Sequence, residues 1–126
     1  MKHILVVNRT LIERDMIMGL LAQDFFACCA ADCTEGLAIL ARDKQKSIDI
    51  IVLDECTNEL SQRDFIKGVV GIRPDVCVLL LGDDPAALVE VSKVLLSAHV
   101  KKPVNVETFL STLHMLAKGC RSSTLH

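Results

Sequence analysis

The chain has no tryptophan, no tyrosine and only four phenylalanines. That leaves little aromatic surface on which bases could stack. It has no basic excess either: 14 Lys and Arg stand against 16 Asp and Glu, a formal net charge of −2. Outside scattered helix faces the one adjacent basic pair is Lys101-Lys102. No nucleic-acid footprint is therefore expected. No apolar run approaches the roughly 18 residues of a bilayer span. Met1-Lys2-His3 leads directly into a strand-like run without a signal-peptide pattern, so a cytoplasmic location and no membrane contact are expected. The six cysteines include no CxxC pair, which argues against the usual zinc spacings. Structural disulfides are not expected in that compartment. Cys28, Cys29, Cys33 and Cys77 read as small buried apolar residues, and Cys120 as an exposed thiol. No glycine-rich loop follows the first strand, only Asn8-Arg9-Thr10-Leu11, which argues against a phosphate cradle for a small molecule.

What remains is apolar and regularly spaced. At 126 residues and 51% hydrophobic, the chain can bury one proper core. Strands are expected at Lys2–Val7, Phe26–Ala30, Ile48–Leu53, Val76–Leu81 and Ala98–Lys101. The third and fourth are continuous apolar runs, the pattern of strands buried on both faces. The helices between them are expected at Leu11–Gln23, after Asp32, at Gln62–Val70, from Pro85 to Ser97, and after Asn105. Ile17 and Leu21 lie one turn apart on the first helix. Asp32 caps the second, with Glu35 completing a capping box, and its inward face is Leu37, Leu40 and Ala41. Val106, Phe109, Leu110, Leu113 and Leu116 form the last stripe, and Phe25-Phe26 reads as core. One domain over 1–119 is expected, followed by a polar tail, 120–126.

Five strand–helix units imply a parallel sheet covered on both faces, an α/β architecture. Right-handed crossovers place all strand C-termini on one edge. That edge collects Asn8-Arg9, Asp54-Glu55-Cys56, Leu81-Gly82 and Lys101-Lys102-Pro103. A carboxylate at the lip of the most apolar strand, Asp54, is the natural centre of such a site.

The ordered set resembles the receiver domain of bacterial two-component response regulators over roughly Lys2–Lys118. It rests on the strand ending in Asp54, the Lys102-Pro103 pair after strand five, the even spacing, and Arg14 with Ile17 and Leu21 in the first helix. The resemblance implies a flavodoxin-like (βα)5 doubly wound fold, with a five-stranded parallel sheet in the order 2-1-3-4-5 and helices on both faces. It implies Asp54 as the phosphoryl acceptor from a histidine kinase, a Mg2+ requirement, and Lys102 as the phosphoryl contact. His99 then takes the position of a rotating aromatic switch.

The sequence departs from that pattern at Asn8-Arg9, where two acids are usual, and at Leu81, where a hydroxyl is usual, with Gly82 beside it. It departs again at Asn58 and Gln62. Where the family sets three carboxylates against one lysine, Asp54, Arg9 and Lys102 sum to a formal +1 (one acid, two bases). Unit charges about 4 Å apart interact by roughly 4 kcal/mol at an effective dielectric of about 20, enough to exclude weakly held Mg2+. The expectation is a pseudo-receiver: an interaction module, not an enzyme, with Arg9 in place of the metal and donating to Asp54, and no cofactor. Asn8, Glu55, Cys56, Leu81 and Gly82 line the site. The competing reading is a conventional receiver that catalyses its own phosphorylation on Asp54, with Mg2+ held by Asp54, Asn8, the Cys56 backbone and the help of Asp83 or Asp84. A redox role for Cys56 and a small-molecule-binding domain of the same fold are further readings. Partners are a histidine kinase or a downstream effector. A homodimer through helix four, strand five and helix five would cover the unusually apolar fourth helix.

Overall fold

The computed structural model describes residues 1–54, 62–82, 89 and 91–119. These form strands β1 (His3–Val7), β2 (Phe26–Ala30), β3 (Ile48–Asp54), β4 (Cys77–Leu81) and β5 (Ser97–Val100). The helices are α1 (Leu11–Leu21), α2 (Cys33–Arg42), α3 (Gln62–Ile72) and α4 (Val106–Gly119). The strands make one parallel sheet in the order β2-β1-β3-β4-β5, as the spacing and the resemblance imply.

Every position of β3 and β4 is buried, which a strand survives only when both sheet faces are covered. One face carries Leu5, Val7, Ile51, Leu53, Val78 and Leu80 against α2 and α3, with Val91 and Leu95 closing its far side. The other carries Ile4, Val6, Ile50, Val52, Leu79 and Leu81 against Ile17 and Leu21 of α1 and Phe109, Leu113 and Leu116 of α4. α2 starts as a capping box: the Glu35 amide donates to Asp32 at 2.8 Å, and the Glu35 carboxylate accepts from the Ala31 amide at 2.8 Å. It lies so close to the sheet that a Cβ on Gly36 would stand 3.0 Å from Val7 Cγ2.

Asp49 interrupts the apolar run for a reason. The β1–β3 register jumps from His3↔Ile48 to Ile4↔Ile50, leaving Asp49 in a bulge whose carboxylate accepts the His3 amide at 3.0 Å. At the same edge of the sheet, Arg73 is 3% exposed and donates through Nε to Asp75 at 3.0 Å and through Nη1 to Asp43 at 3.4 Å. Asp43 also accepts the Ser47 and Ile48 amides and the Ser47 hydroxyl. Burial alone would raise the Asp43 carboxyl, but these donors and the Arg73 charge hold it below its ordinary value.

Several expectations are corrected. α1 ends at Leu21, because the Asp24 and Phe25 amides both turn back to the Leu21 carbonyl. Of the helix expected from 85 to 97, residues 85–88 and 90 lie outside the described residues. Val89, Val91 and Ser92 are helical, but the chain turns at 93–94 and β5 begins at Ser97. The inner face of α2 is Cys33, Gly36 and Leu40, with Leu37 half-buried and Ala41 exposed. Val106 is exposed, since the stripe of α4 begins one turn later at Phe109. β2 is an edge strand with a single neighbour, so Cys28, Cys29 and Phe26 are exposed, whereas Phe25, Cys33 and Cys77 are buried. The tail from 120, with Cys120, lies outside the described residues.

Candidate functional site

The C-terminal edge of the sheet gathers a buried polar cluster. Asp54 closes β3 and is 3% exposed; Asn8 follows β1 and is 2% exposed. Alternation from Val52 turns the Asp54 side chain toward the α1/α4 layer. Lys102, just past β5, puts its Nζ 2.8 Å from Asp54 Oδ1 and 3.0 Å from Glu13 Oε1. Asn8 Nδ2 donates to the same Glu13 oxygen. Asn8 Oδ1 accepts the Thr10 amide at 2.9 Å, which turns the chain into α1, and the Asn8 carbonyl accepts Arg14 Nη1 at 2.9 Å. The Lys102–Pro103 peptide bond is cis.

Two site residues differ from the sequence reading. Arg9 is exposed and has no hydrogen bond or ion pair with a described residue, so the charge partner of Asp54 here is Lys102 alone of the two expected. The reason is local. Asn8 is fixed inward by three hydrogen bonds, and the next residue points away as the chain leaves the strand. Glu13, which the sequence reading passed over, enters instead. The signal was available: 13, 17 and 21 fall on one line of α1, so Glu13 heads the stripe whose other members are the core residues Ile17 and Leu21.

The charge count changes accordingly. Asp54 and Glu13 against Lys102 give two negative charges and one positive, a formal −1 in place of the expected +1. Burial alone would lower the Lys102 ammonium, but hydrogen bonds to Asp54 and Glu13, with their charges, raise it above its ordinary value. Burial alone would raise Glu13, but hydrogen bonds from Asn8 and Lys102 and the Lys102 charge bring it below its ordinary value. Lys102 and Glu13 thus each hold the other in its charged form.

The remaining candidates fall as follows. Leu81 pairs directly with Asp54 across β3 and β4, and its side chain belongs to the core with Phe109. The residue at the lip is Gly82, whose amide donates to the Val100 carbonyl at 3.1 Å. No hydroxyl stands there in either case. His99 pairs with Leu80 on the opposite face of the sheet from Asp54, and its Nε2 is buried without a hydrogen-bond partner among the described residues. Glu55, Cys56, Asn58, Asp83 and Asp84 lie outside the described residues, as does the side chain of Gln62.

A Mg2+ ion asks for an open set of hard oxygens. The described donors do not offer one. The Lys102 ammonium already sits between the two carboxylates, and the one side-chain oxygen of Asn8 is taken by the Thr10 amide. Among the described residues no three His, Cys, Asp or Glu side chains gather where they could hold a metal.

No protein-family model and no curated protein matches the sequence. Comparison with solved structures is informative. The chemotaxis protein CheY4 of Vibrio cholerae superposes with a TM-score of 0.79 at 26% identity, covering 91% of this chain and 98% of that one. Its structural neighbours are CheY-like response-regulator receiver domains. A receiver domain protein from Methanospirillum hungatei reaches a TM-score of 0.84 at 18% identity, over 94% of this chain and 95% of that one. One from Clostridium thermocellum reaches 0.82 at 23% identity, over 94% and 96%. The receiver fold therefore accounts for nearly the whole chain, and its neighbours support a signalling domain of the two-component type. No described helix is long and apolar enough to cross a membrane.

Proposed function

We propose that this chain is a receiver-like signalling domain that works by binding a protein partner, a histidine kinase or a downstream effector, without phosphorylation of Asp54. The observation that carries this reading is the Lys102 ammonium held between Asp54 at 2.8 Å and Glu13 at 3.0 Å. Phosphoryl transfer to a carboxylate needs a cation that neutralises the incoming charge and can follow it. Here the protein's own cation is shared with a second carboxylate, and the acids that would recruit a divalent ion beside it are Asn8 and an outward Arg9. Gly82 offers no hydroxyl to a phosphoryl oxygen, and His99 lies across the sheet from the cluster. The domain is thus an interaction module held in one state, acting in the cytoplasm, with no cofactor and no nucleic-acid contact of its own. A homodimer through the segment before β5, β5 and α4 is one way it presents itself, since Val89, Val94, Leu96 and Val106 are exposed there.

Incubation with acetyl phosphate, with and without Mg2+, followed by intact-mass measurement, tests the reading. No adduct is expected in either arm. A Mg2+-dependent adduct that disappears in Asp54→Asn would replace it with the conventional, self-phosphorylating receiver.

A further inference from the structure

Sheet edges are surfaces in their own right, because each outward N–H and C=O is an unmet hydrogen bond. The two edges of this sheet are not alike. β5 runs straight into Lys101 and Lys102. β2 is Phe26-Ala27-Cys28-Cys29-Ala30, five residues without a charge or a proline, the devices that ordinarily keep an edge from pairing. Phe26 is 54% exposed, and both cysteines are exposed.

The hydrogen bonds to β1 fix which groups face outward. The Phe26 amide donates to the Lys2 carbonyl at 3.0 Å, and the Ala30 carbonyl accepts the Asn8 amide at 3.1 Å. In a parallel ladder alternate residues serve one neighbour. Phe26, Cys28 and Ala30 therefore turn their peptide groups to β1, while Ala27 and Cys29 turn theirs to solvent. The strand is bounded at both ends, since the Phe25 amide goes to Leu21 and the Ala31 amide to Glu35.

We propose that the outer edge of β2 docks antiparallel onto β2 of a second copy of this chain, about a two-fold axis at Cys28. A two-fold normal to the sheet keeps each helical layer on its own side, so a residue must meet one of its own face. Pairing Cys28 with Cys28 of the second copy satisfies this. It sets Ala27 opposite Cys29 as hydrogen-bonded pairs, using all four outward amides and carbonyls of each strand in the match. It sets the exposed Phe26 over the small Ala30. No charged side chain falls within the five pairs. This register also makes Cys28 the non-hydrogen-bonded pair, whose Cα atoms stand about 4.5 Å apart, inside the range of about 4.4–6.8 Å that a disulfide spans. Cys29 meets its own copy only on a diagonal of about 7–8 Å, outside that range. The association stands apart from the reading of the Asp54 cluster and uses the edge remote from β5.

The test is self-association of the whole chain by sedimentation velocity in reductant up to millimolar concentration, with trapping by oxidised glutathione, in a background where Cys56 and Cys120 are serine. In trapping, one Cys28 thiolate attacks glutathione disulfide and releases a glutathione thiolate. The second Cys28 thiolate then attacks the protein sulfur of that mixed disulfide and releases the other glutathione. Two thiols are oxidised and one disulfide is reduced to two thiols. Burial, Cys29 and Asp43 push the Cys28 thiol up from its ordinary value, so the trap is set at alkaline pH. A reversible dimer is expected, cross-linked equally in wild type and Cys29→Ser and not in Cys28→Ser. Ala27→Pro removes an outward donor without touching the β1 ladder, and Cys29→Lys adds a charge to the exposed edge. Each should weaken association at least tenfold while far-UV circular dichroism stays unchanged. A chain that remains monomeric, a dimer indifferent to both folded variants, or cross-linking that survives in Cys28→Ser overturns the proposal. The second of these would move the interface to the face formed by β5 and α4.

Discussion

Replacing Lys102 with methionine removes the cation that stands between Glu13 and Asp54. The magnitude follows from exposure. The Asp54 side chain is 5% exposed, while those of Lys102 and Glu13 are 26% and 25% exposed. Stripping the partner from a fully buried charge costs about 3–5 kcal/mol, and an exposed pair contributes about 0.2–1 kcal/mol. The Asp54 half of the clamp lies near the first case, moderated by solvent reaching Lys102, and contributes about 2 kcal/mol. The Glu13 half lies near the second and adds about 0.5 kcal/mol. Urea unfolding at pH 7 should therefore lose about 2.5 kcal/mol, and Tm should fall by about 10 °C at roughly 4 °C per kcal/mol for a domain of this size. The pH dependence supplies a second constraint. Lys102 is raised, so its stabilisation is full below the unfolded value of about 10.4 and is lost as pH climbs through the higher folded value. Glu13 is lowered, so its share is full above about 4.3 and is lost as pH drops through the lower folded value. The gap between variant and wild type should hold from about pH 5 to about pH 10, narrow on the acid side by the Glu13 share of about 0.5 kcal/mol, and close on the alkaline side as Lys102 loses its proton. A Lys102→Met protein within about 0.5 kcal/mol of wild type, or a gap unchanged at pH 3, would refute the reasoning.

Asn8→Asp puts an acid beside Asp54 and removes the Asn8 donor to Glu13, Arg9→Asp exchanges the adjoining exposed cation for an acid, and titration calorimetry should then detect tighter Mg2+ binding than in wild type. No heat from the double variant would count against the donor-set argument. Asp43→Ala removes the acceptor of the Ser47 and Ile48 amides and one partner of the buried Arg73, and should cost about 3 kcal/mol in urea unfolding. Asp43 and Asp75 are both lowered, so what they add is complete above about 3.9 and is lost as pH falls through their folded values. Wild type should accordingly show a steep acid limb that Asp43→Ala flattens, and parallel limbs would contradict it.

The parts of the fold legible in the sequence were those set by local chemistry and strong periodicity. The solid runs of β3 and β4, the Asp32 and Glu35 box, and the Ile17 and Leu21 pair each have one physical reading, and the structure has them all. Sheet order came with the resemblance, not with periodicity. The errors arose where a neighbour decides the outcome. Composition makes Cys28, Cys29 and Phe26 apolar, but only the sheet order makes β2 an edge and leaves them exposed. Asp54 and Lys102 could be placed at the same lip because strand ends are fixed by the crossovers. Arg9 could not be aimed by sequence, because its direction depends on three hydrogen bonds that hold the residue before it. Glu13 was readable from its line with Ile17 and Leu21, but an acid in the first turn of a helix is ordinarily a solvated charge that favours the helix dipole, and only the fold brings Lys102 to it.

The bulge at Asp49 confines its effect to the foot of β3. Ile48 and Ile50 lie on opposite faces of the sheet, whereas two residues apart on an unbroken strand they would share one. Asp49 is the extra residue: His3 and Ile4 are consecutive on β1, yet they face Ile48 and Ile50. Deleting Asp49 would close the bulge and leave the pairing from Ile50 to Asp54, and with it the aim of the terminal carboxylate at Lys102, as it stands. The foot of the strand is thus insulated from its far end: a change of one residue there is absorbed locally, and the rungs of the second half keep the site in place.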